Sequence, residues 1–160
     1  MAIDLTDKVC LITGADEGLG FGTARGFIKR GAKVAAGLLN PEKFASRLAP
    51  AFTVKMDVTK PEEVEAAVAQ VVEHYGRIDV LINNAGIYPR LAADEMTFDD
   101  YKTLREINLD GTWRSCLAVI PYFKKQGSGV IINTGSITLR MGMAHLAHYE
   151  STKGGILGMT

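Results

Sequence analysis

The chain has 160 residues, and its 18 lysines and arginines balance its 18 aspartates and glutamates, so the formal net charge is zero. That balance argues against a nucleic-acid-binding protein and against a polybasic membrane-surface protein. Hydrophobic residues make up 47% and charged residues 22%, as in an ordinary globular protein, and the length indicates a single domain over residues 1–160.

Apolar runs and turn residues in the first part of the chain predict strands and helices in alternation. Gly31 suits the end of the first helix, while Asn40 and Pro41 suit the cap and first position of the second. The predicted strands are residues 8–13, 33–37 and 52–56, and the predicted helices are residues 19–30 and 41–48.

The clearest helix follows the third strand. Thr59 and Glu62 form a capping-box pattern, valines at positions 64, 68, 71 and 72 form one apolar stripe, and Gly76 ends the helix. Beyond it the sequence predicts strands over 80–83 and 130–134 and a long helix over 97–125 that is strained near Pro121. A loop with Gly and Met then leads to a final helix that starts near His145 and still runs at Thr160.

Five strands in alternation with helices predict an α/β fold, a doubly wound parallel sheet joined by right-handed crossovers. In such sheets ligands bind at the carboxyl ends of the strands, so the residues just after each strand are the candidates for a site. No run of about 18 apolar residues is present, and no membrane-spanning helix is predicted.

The turn after the first strand carries three glycines. Gly14 suits a tight turn, Gly18 lets a phosphate approach the backbone, and Gly20 permits close helix–strand contact. The start of the following helix offers free amides and a partial positive charge to a pyrophosphate. A plain glycine-rich turn is the alternative, but a strand before it and a helix after it favour a dinucleotide site.

The choice between NAD and NADP depends on the second strand and the glycine turn. The second strand ends at Leu38 and Leu39, without the carboxylate that commonly holds the adenosine ribose. The turn carries Asp16 and Glu17, whose charges would repel the 2′-phosphate of NADP. NAD is therefore favoured over NADP, with Asn40 or backbone groups taking the ribose contacts.

Tyr149 and Lys153 lie one turn apart on one face of the final helix. An unperturbed phenol has a pKa near 10, and a nearby ammonium favours the phenolate, so the pair suits proton exchange with an alcohol or carbonyl oxygen. Ser136, just after the fifth strand, could hydrogen-bond that oxygen, or serve only as a turn serine. Asn108, inside the long helix, could hold a water that connects Lys153 to solvent, or serve as a helix-packing amide.

These segments together resemble the short-chain dehydrogenase/reductase family over residues 8–160. The matching pieces stand in the family's order: Thr13-Gly14-x-x-x-Gly18-x-Gly20, Asp57-Val58, Asn83-Asn84-Ala85-Gly86, Asn108, Ser136 and Tyr149-x-x-x-Lys153. The resemblance implies a Rossmann-like NAD(P)-binding domain. It also implies an oxidoreductase that transfers hydride between a nicotinamide cofactor and a secondary alcohol or ketone.

The resemblance implies roles residue by residue. Tyr149 would be the catalytic acid/base, Lys153 would favour its phenolate and bind the nicotinamide ribose, Ser136 would orient the substrate oxygen, and Asn108 would anchor a proton-relay water. The implied cofactor-binding residues are Gly14, Asp16, Gly18, Leu19 and Gly20 at the pyrophosphate turn, Asp57 and Val58 at the adenine, Asn84, Ala85 and Gly86 beside the adenosine, and Tyr149 and Lys153.

The family continues beyond its Tyr-x-x-x-Lys motif with further strands, so the resemblance implies a domain incomplete at its C-terminus. Strands one to five would be present, the fifth would be an uncovered edge, and we expect the isolated chain to be unstable and weakly active. The family usually forms homodimers or homotetramers through the long helix and the Tyr149 helix. Isolated Cys10 and Cys116, with no signal-peptide pattern, predict a cytoplasmic protein.

Several alternatives stay open. A non-catalytic dinucleotide-binding relative or an inactive fragment competes with the enzyme, which the joint presence of Asn108, Ser136, Tyr149 and Lys153 favours. The glycine turn resembles that of gluconate-type dehydrogenases, whereas residues 83–89 and 148–153 resemble aryl secondary-alcohol dehydrogenases, so no substrate is named. No metal site is predicted, because His145 and His148 lack a companion ligand at suitable spacing.

Overall fold

The computed structural model describes residues 3–160, in which five strands alternate with helices. The strands are β1 (Val9–Thr13), β2 (Lys33–Leu38), β3 (Phe52–Lys55), β4 (Val80–Asn83) and β5 (Val130–Asn133). The helices are α1 (Gly18–Ile28), α2 (Pro41–Phe44), α3 (Pro61–Tyr75), α4 (Phe98–Arg105), α5 (Gly111–Gln126), α6 (Thr138–Met141) and α7 (Ala147–Gly158). A 3₁₀ turn, Ala45–Leu48, follows α2, and a π-helical turn, Glu106–Asp110, joins α4 to α5.

The five strands form one parallel sheet in the order β3-β2-β1-β4-β5. Thr13 pairs with Gly37 and Ile12 with Ile82, so the carboxyl ends of the central strands lie level with one another. The chain leaves β1 toward β2 on one side and returns to β4 on the other, which opens a crevice between β1 and β4 at their carboxyl ends. The predicted doubly wound α/β fold is confirmed.

Apolar layers cover both faces of this sheet. Leu11 packs on the face covered by α3 and α5, and Ile12 packs on the face covered by α1 and the segment after β2; both are fully buried. Burial on both faces explains why the strands are continuous apolar runs without alternation. At the edge, Val130 and Ile132 of β5 stay 53% and 45% exposed, so one end of the sheet is much less covered than its centre.

The capping box predicted at Thr59 and Glu62 was wrong. α3 begins at Pro61, and the capping residue, Lys60, makes no side-chain capping bond. Proline lacks an N–H and has a φ suited to the first helical position, so the cap falls on the residue before it. Thr59 lies outside the helix and donates its hydroxyl to Asp57 Oδ1 at 2.7 Å.

The long helix predicted over 97–125 is present as α4, the π turn and α5, and Thr97 caps it in a true capping box with Asp100. The strain expected near Pro121 stays a prediction. Pro121 lies inside α5, whereas the irregular turn comes earlier, at Glu106–Asp110, and contains Asn108.

The final helix is shorter than predicted. It starts at Ala147 rather than near His145, and it ends at Gly158 rather than running on at Thr160. His145 has a φ of 67°, a left-handed conformation that a right-handed helix cannot include. The preceding segment, predicted as a loop, holds the short helix α6. Across residues 3–160, we find no helix with both the length and the apolar character needed to cross a bilayer.

Candidate functional site

A cavity of about 600 Å³ opens where the carboxyl ends of β1, β4 and β5 meet. Its walls come from the glycine turn, the end of β2 with α2, the loop after β4, and the end of β5 with α7. The lining residues are Gly14, Asp16, Glu17, Gly18, Leu19, Leu39, Asn40, Phe44, Asn84, Ala85, Gly86, Ile87, Tyr88, Thr134, Tyr149 and Lys153.

The glycine turn presents backbone to this cavity. Gly18 has a φ of +57°, and a Cβ built on it would meet no atom within 4 Å, so the space beside it is open. α1 begins at Gly18, and its capping residue, Glu17, makes no side-chain bond to the first turn. The first amides of α1 are therefore free of a side-chain acceptor, and they offer donors and a positive dipole end to an anion.

The glycine turn is fastened to the loop after β4. Asn84 Nδ2 donates to the carbonyl oxygens of Thr13 at 3.1 Å and Gly14 at 2.9 Å. Thr13 Oγ1 accepts from the amides of Asn84 and Ala85. Gly20 packs so closely beneath the turn that a Cβ there would overlap the Gly14 carbonyl oxygen and Asn84 Nδ2. Sequence motifs 70 residues apart thus form one rigid wall.

Asp16 connects the glycine turn to the end of β2. Its Oδ1 accepts from the Leu39 amide at 3.0 Å and from the Asn40 amide at 3.3 Å, and its Oδ2 accepts from Leu39 at 3.2 Å. A carboxylate therefore stands at the end of β2, although it comes from a residue 23 positions earlier.

Tyr149 and Lys153 of α7 both line the opposite end of the cavity. Lys153 is 4% exposed, and its Nζ donates to the Thr134 carbonyl oxygen at 2.7 Å. Nζ lies 5.7 Å from the centre of the Tyr149 ring, which also meets the Tyr88 ring edge-to-face at 5.0 Å. Burial lowers the pKa of the Lys153 ammonium.

Asn108, in the π turn, is fully buried behind this end of the cavity. Its Oδ1 accepts from the Ile87 amide at 2.8 Å, and its Nδ2 donates to the Ile87 carbonyl at 3.0 Å and to Thr152 Oγ1 at 3.4 Å. The side-chain amide thereby holds the loop after β4 against α7. This arrangement matches the helix-packing alternative for the amide.

Other residues of the proposed set lie outside the cavity lining. Ser136 Oγ shares a 2.8 Å hydrogen bond with Thr138 Oγ1 and accepts from the Thr138 amide, and it lines a neighbouring cavity with Arg140 and Ile156. The start of α6 at Thr138 makes Ser136 a turn residue in this arrangement.

The pair after β3 is also engaged in local contacts. Desolvation raises the pKa of the Asp57 carboxyl, but hydrogen bonds from Thr59 lower it by more, and the pKa lies below its ordinary value. Val58 is buried, and its carbonyl accepts from Arg114 Nη1 at 3.2 Å. Neither residue lines the 600 Å³ cavity, so their adenine contact stays a prediction.

A sequence model of the short chain dehydrogenase family matches residues 8–160. The chain belongs to the short-chain dehydrogenase family. The match includes both ends of the cavity, the glycine turn as well as Tyr149 and Lys153.

The chain is similar to members of the short-chain dehydrogenase family that are named for different substrates. A 3-oxoacyl-(acyl-carrier-protein) reductase, FabG, of Thermotoga maritima is 37% identical over 98% of this chain and 66% of its own length. An L-fucose dehydrogenase of Oryctolagus cuniculus is 33% identical over 96% of this chain and 55% of its own. The ligand-free structure of Thermoplasma acidophilum aldohexose dehydrogenase superposes with a TM-score of 0.89 at 29% identity, over 98% of this chain and 60% of that one.

This chain therefore spans between 55% and 66% of the length of these relatives. Short-chain dehydrogenases use nicotinamide cofactors, and the site here fits such a group. The open space beside Gly18 and the uncapped start of α1 suit a pyrophosphate, and the cavity continues from there to Tyr149 and Lys153.

Some residues of the lining are not among the predicted site residues. Thr134 and Leu39 follow β5 and β2 directly, so the rule that ligands bind at strand ends is the signal that could have identified them. Phe44 reaches the cavity from α2, and Ile87 from the loop after β4, through packing that no local pattern signals.

Proposed function

We propose that this chain is an NAD(P)-dependent oxidoreductase that interconverts a secondary alcohol and a ketone. The observation that carries the proposal is the shared cavity, which holds an anion-binding turn at one end and the Tyr149–Lys153 pair at the other. A bound nicotinamide cofactor supplies or accepts the hydride. The names of the relatives, which refer to sugars and to an acyl-carrier substrate, support a hydroxy or keto compound as the substrate class.

Tyr149 handles the proton in this proposal. Its phenol gives a proton to the carbonyl oxygen on reduction and takes one from the hydroxyl on oxidation. The charge of Lys153, fixed to the Thr134 carbonyl, favours the phenolate. Because burial lowers the pKa of Lys153, that charge is lost at a lower pH than on an exposed lysine, and activity falls correspondingly early on the alkaline side.

NAD is the preferred cofactor in this proposal. The cavity lining contains two carboxylates near the glycine turn, Asp16 and Glu17, and its one lysine, Lys153, stands at the other end. A 2′-phosphate near the end of β2 would meet negative charge there.

Tyr149→Phe tests the catalytic proposal. The variant should bind NADH within about threefold of the parent while turnover falls about 10²- to 10⁴-fold, because only the transferable proton is removed. NADH fluorescence titration and assays on a panel of aldohexoses and aryl secondary alcohols give the two readings. Tyr101→Phe makes the same change on α4, outside the cavity lining, and should retain turnover; full activity of Tyr149→Phe would refute the mechanism.

A dinucleotide-binding protein without turnover is the second candidate. The observation in its favour is the position of Ser136, whose hydroxyl is bonded to Thr138 and lines a different cavity from Tyr149. The panel assay on the parent separates the two functions: a binding protein binds NADH and converts no substrate, whereas in the enzyme turnover is measurable and Ser136→Ala lowers it.

We further propose a homo-oligomer and a cytoplasmic location. Trp113 and Leu117 of α5 are 51% and 54% exposed, an apolar area that a second copy would cover, whereas Tyr122 packs against the core. Light scattering on Trp113→Ala should show loss of the oligomer.

The proposed cytoplasmic location is based on the two cysteines. Cys10 and Cys116 are buried free thiols, and burial raises the pKa of Cys10 to about 12, so Cys10 stays an unreactive thiol.

A further inference from the structure

The end of β2 is held by contacts from two directions. Asp16 accepts from the amides of Leu39 and Asn40, as described above. From the other side, Lys55 Nζ donates to the Leu39 carbonyl oxygen at 2.7 Å. The amides of Leu39 and Asn40 and the carbonyl of Leu39 are therefore all hydrogen-bonded, and these bonds fix the position of the turn relative to the cavity.

The ammonium bonded to this turn is already paired. Lys55 Nζ lies 3.6 Å from Glu63 Oε2, and the same carboxylate oxygen accepts from the Asp57 amide at 2.9 Å. That backbone bond, together with Lys55 and Lys60, holds the pKa of Glu63 below its ordinary value, so Glu63 stays ionised at neutral pH. The charge of Lys55 is therefore balanced by Glu63, and one of its N–H groups is bound to the Leu39 carbonyl, without any cofactor present.

We propose that Asp16 is the residue that selects NAD over NADP in this chain. Its carboxylate, positioned by the Leu39 and Asn40 amides, takes the place of the acid that β2 lacks at Leu38. The inference rests on the proposed function and names a determinant within that same site.

A carboxylate has about four lone-pair positions, and those left free beside the two amides accept from ribose hydroxyls. A 2′-phosphate there brings only acceptors and a second negative charge, so it gains no hydrogen bond and is repelled.

Glu17 provides a matched comparison within the same turn. It carries the same charge and lines the same cavity, but its carboxylate accepts no hydrogen bond from any residue in the described range 3–160. If position decides selectivity, Asp16 and Glu17 should differ; if overall charge decides it, they should not.

Fluorescence titration of the full chain with NADH and with NADPH tests this inference. The parent should bind NADH at least about tenfold more tightly than NADPH, and Asp16→Asn should reduce that ratio about tenfold, mainly by gaining NADPH affinity. Asparagine keeps an oxygen that accepts from Leu39, so the turn stays in place while the charge is removed. Glu17→Gln should change the ratio less than about threefold.

The possible outcomes are distinguishable. Failure to bind either dinucleotide overturns the proposed function and this inference with it. NADH binding with an unchanged ratio in Asp16→Asn, or an equal shift in Glu17→Gln, overturns the inference alone.

Thermal shifts of the unmutated chain with AMP and with adenosine 2′,5′-bisphosphate provide a second test that depends on no variant. Stabilisation by AMP alone supports the exclusion of a 2′-phosphate from this end of the cavity, which the role of Asp16 requires. Stronger stabilisation by the bisphosphate would assign the 2′-phosphate to Lys43 and Arg47, which lie over the ring of Phe44, and would refute it.

Discussion

At the glycine turn the cavity is lined by main-chain atoms that close contacts and buried side-chain bonds hold in place, whereas at the Tyr149 end it is lined by side chains on a helix beside an edge strand. Asn84 and Gly20 bind or contact main-chain atoms of the turn directly. Tyr149 and Lys153 instead extend from α7, next to β5, whose Val130 is about half exposed.

This difference separates the consequences of mutation at the two ends. Main-chain positions at the glycine turn depend on close contacts, so a change there alters folding and cofactor affinity together. Functional groups at the other end sit at the tips of side chains, so a change there should alter the reaction and leave the fold intact.

Gly20→Ala should have the largest effect on stability. Its Cβ would overlap the Gly14 carbonyl oxygen, a backbone atom that cannot rotate away, so we expect a loss of about 3 kcal/mol in the free energy of unfolding and weaker NADH binding. Gly22→Ala is the matched control, because its Cβ meets nothing within 4 Å and alanine favours a helix by up to about 1 kcal/mol. Denaturation followed by circular dichroism measures both; equal stability of the two variants would contradict the close contact.

Asn108→Ala should be an exception, because it should destabilise the fold although Asn108 lies near the Tyr149 end of the cavity. It lies behind the Tyr149 end, yet its fully buried side-chain amide binds both the amide and the carbonyl of Ile87, so its loss should cost about 2 kcal/mol. Asn40→Ala, at an exposed asparagine that makes no side-chain capping bond, should stay within about 0.5 kcal/mol. If Asn108→Ala unfolds at the parent's denaturant concentration, the amide does not hold this loop.

Thr97→Ala probes a region remote from both ends. Loss of its capping box with Asp100 should lower the free energy of unfolding by about 1 kcal/mol. NADH affinity should not change, since neither residue lines the cavity. A large loss of NADH binding in this variant would show that stability and cofactor affinity are coupled throughout the molecule.

The smallest effect concerns the pH dependence contributed by Lys153. Its pKa is lowered from 10.5, so between the lowered value and 10.5 the unfolded chain binds more protons than the folded one, and stability rises with pH. Relative to Lys153→Met, the parent should therefore gain stability as the pH rises from 8 to 10. Denaturation of both proteins near pH 8 and near pH 10 measures this gain; a gain in the opposite direction would mean that burial does not govern Lys153.

Predictions from the sequence succeeded where one local signal was unopposed. Strand β1 was predicted because burial on both faces makes it a continuous apolar run, and the helix with valines at 64, 68 and 71 was predicted because one buried face imposes a helical repeat on the sequence. They failed where signals competed or were weak. Thr59 matched a capping pattern, but Pro61 set the start of α3, and the left-handed backbone of His145 shortened the final helix without any glycine to mark it.

The order of the elements, the parallel sheet and the spacing of Tyr149 and Lys153 followed from the sequence alone, because periodicity and turn chemistry operate over a few residues. Only the tertiary structure decided which polar groups pair with one another: Asp16 with the end of β2, Asn108 with Ile87, and Ser136 with Thr138 outside the cavity. The first two pairings join residues 23 and 21 positions apart, so they depend on the register and packing of whole elements. The third is local, but the sequence does not reveal it, because a serine hydroxyl suits a turn and a substrate equally well.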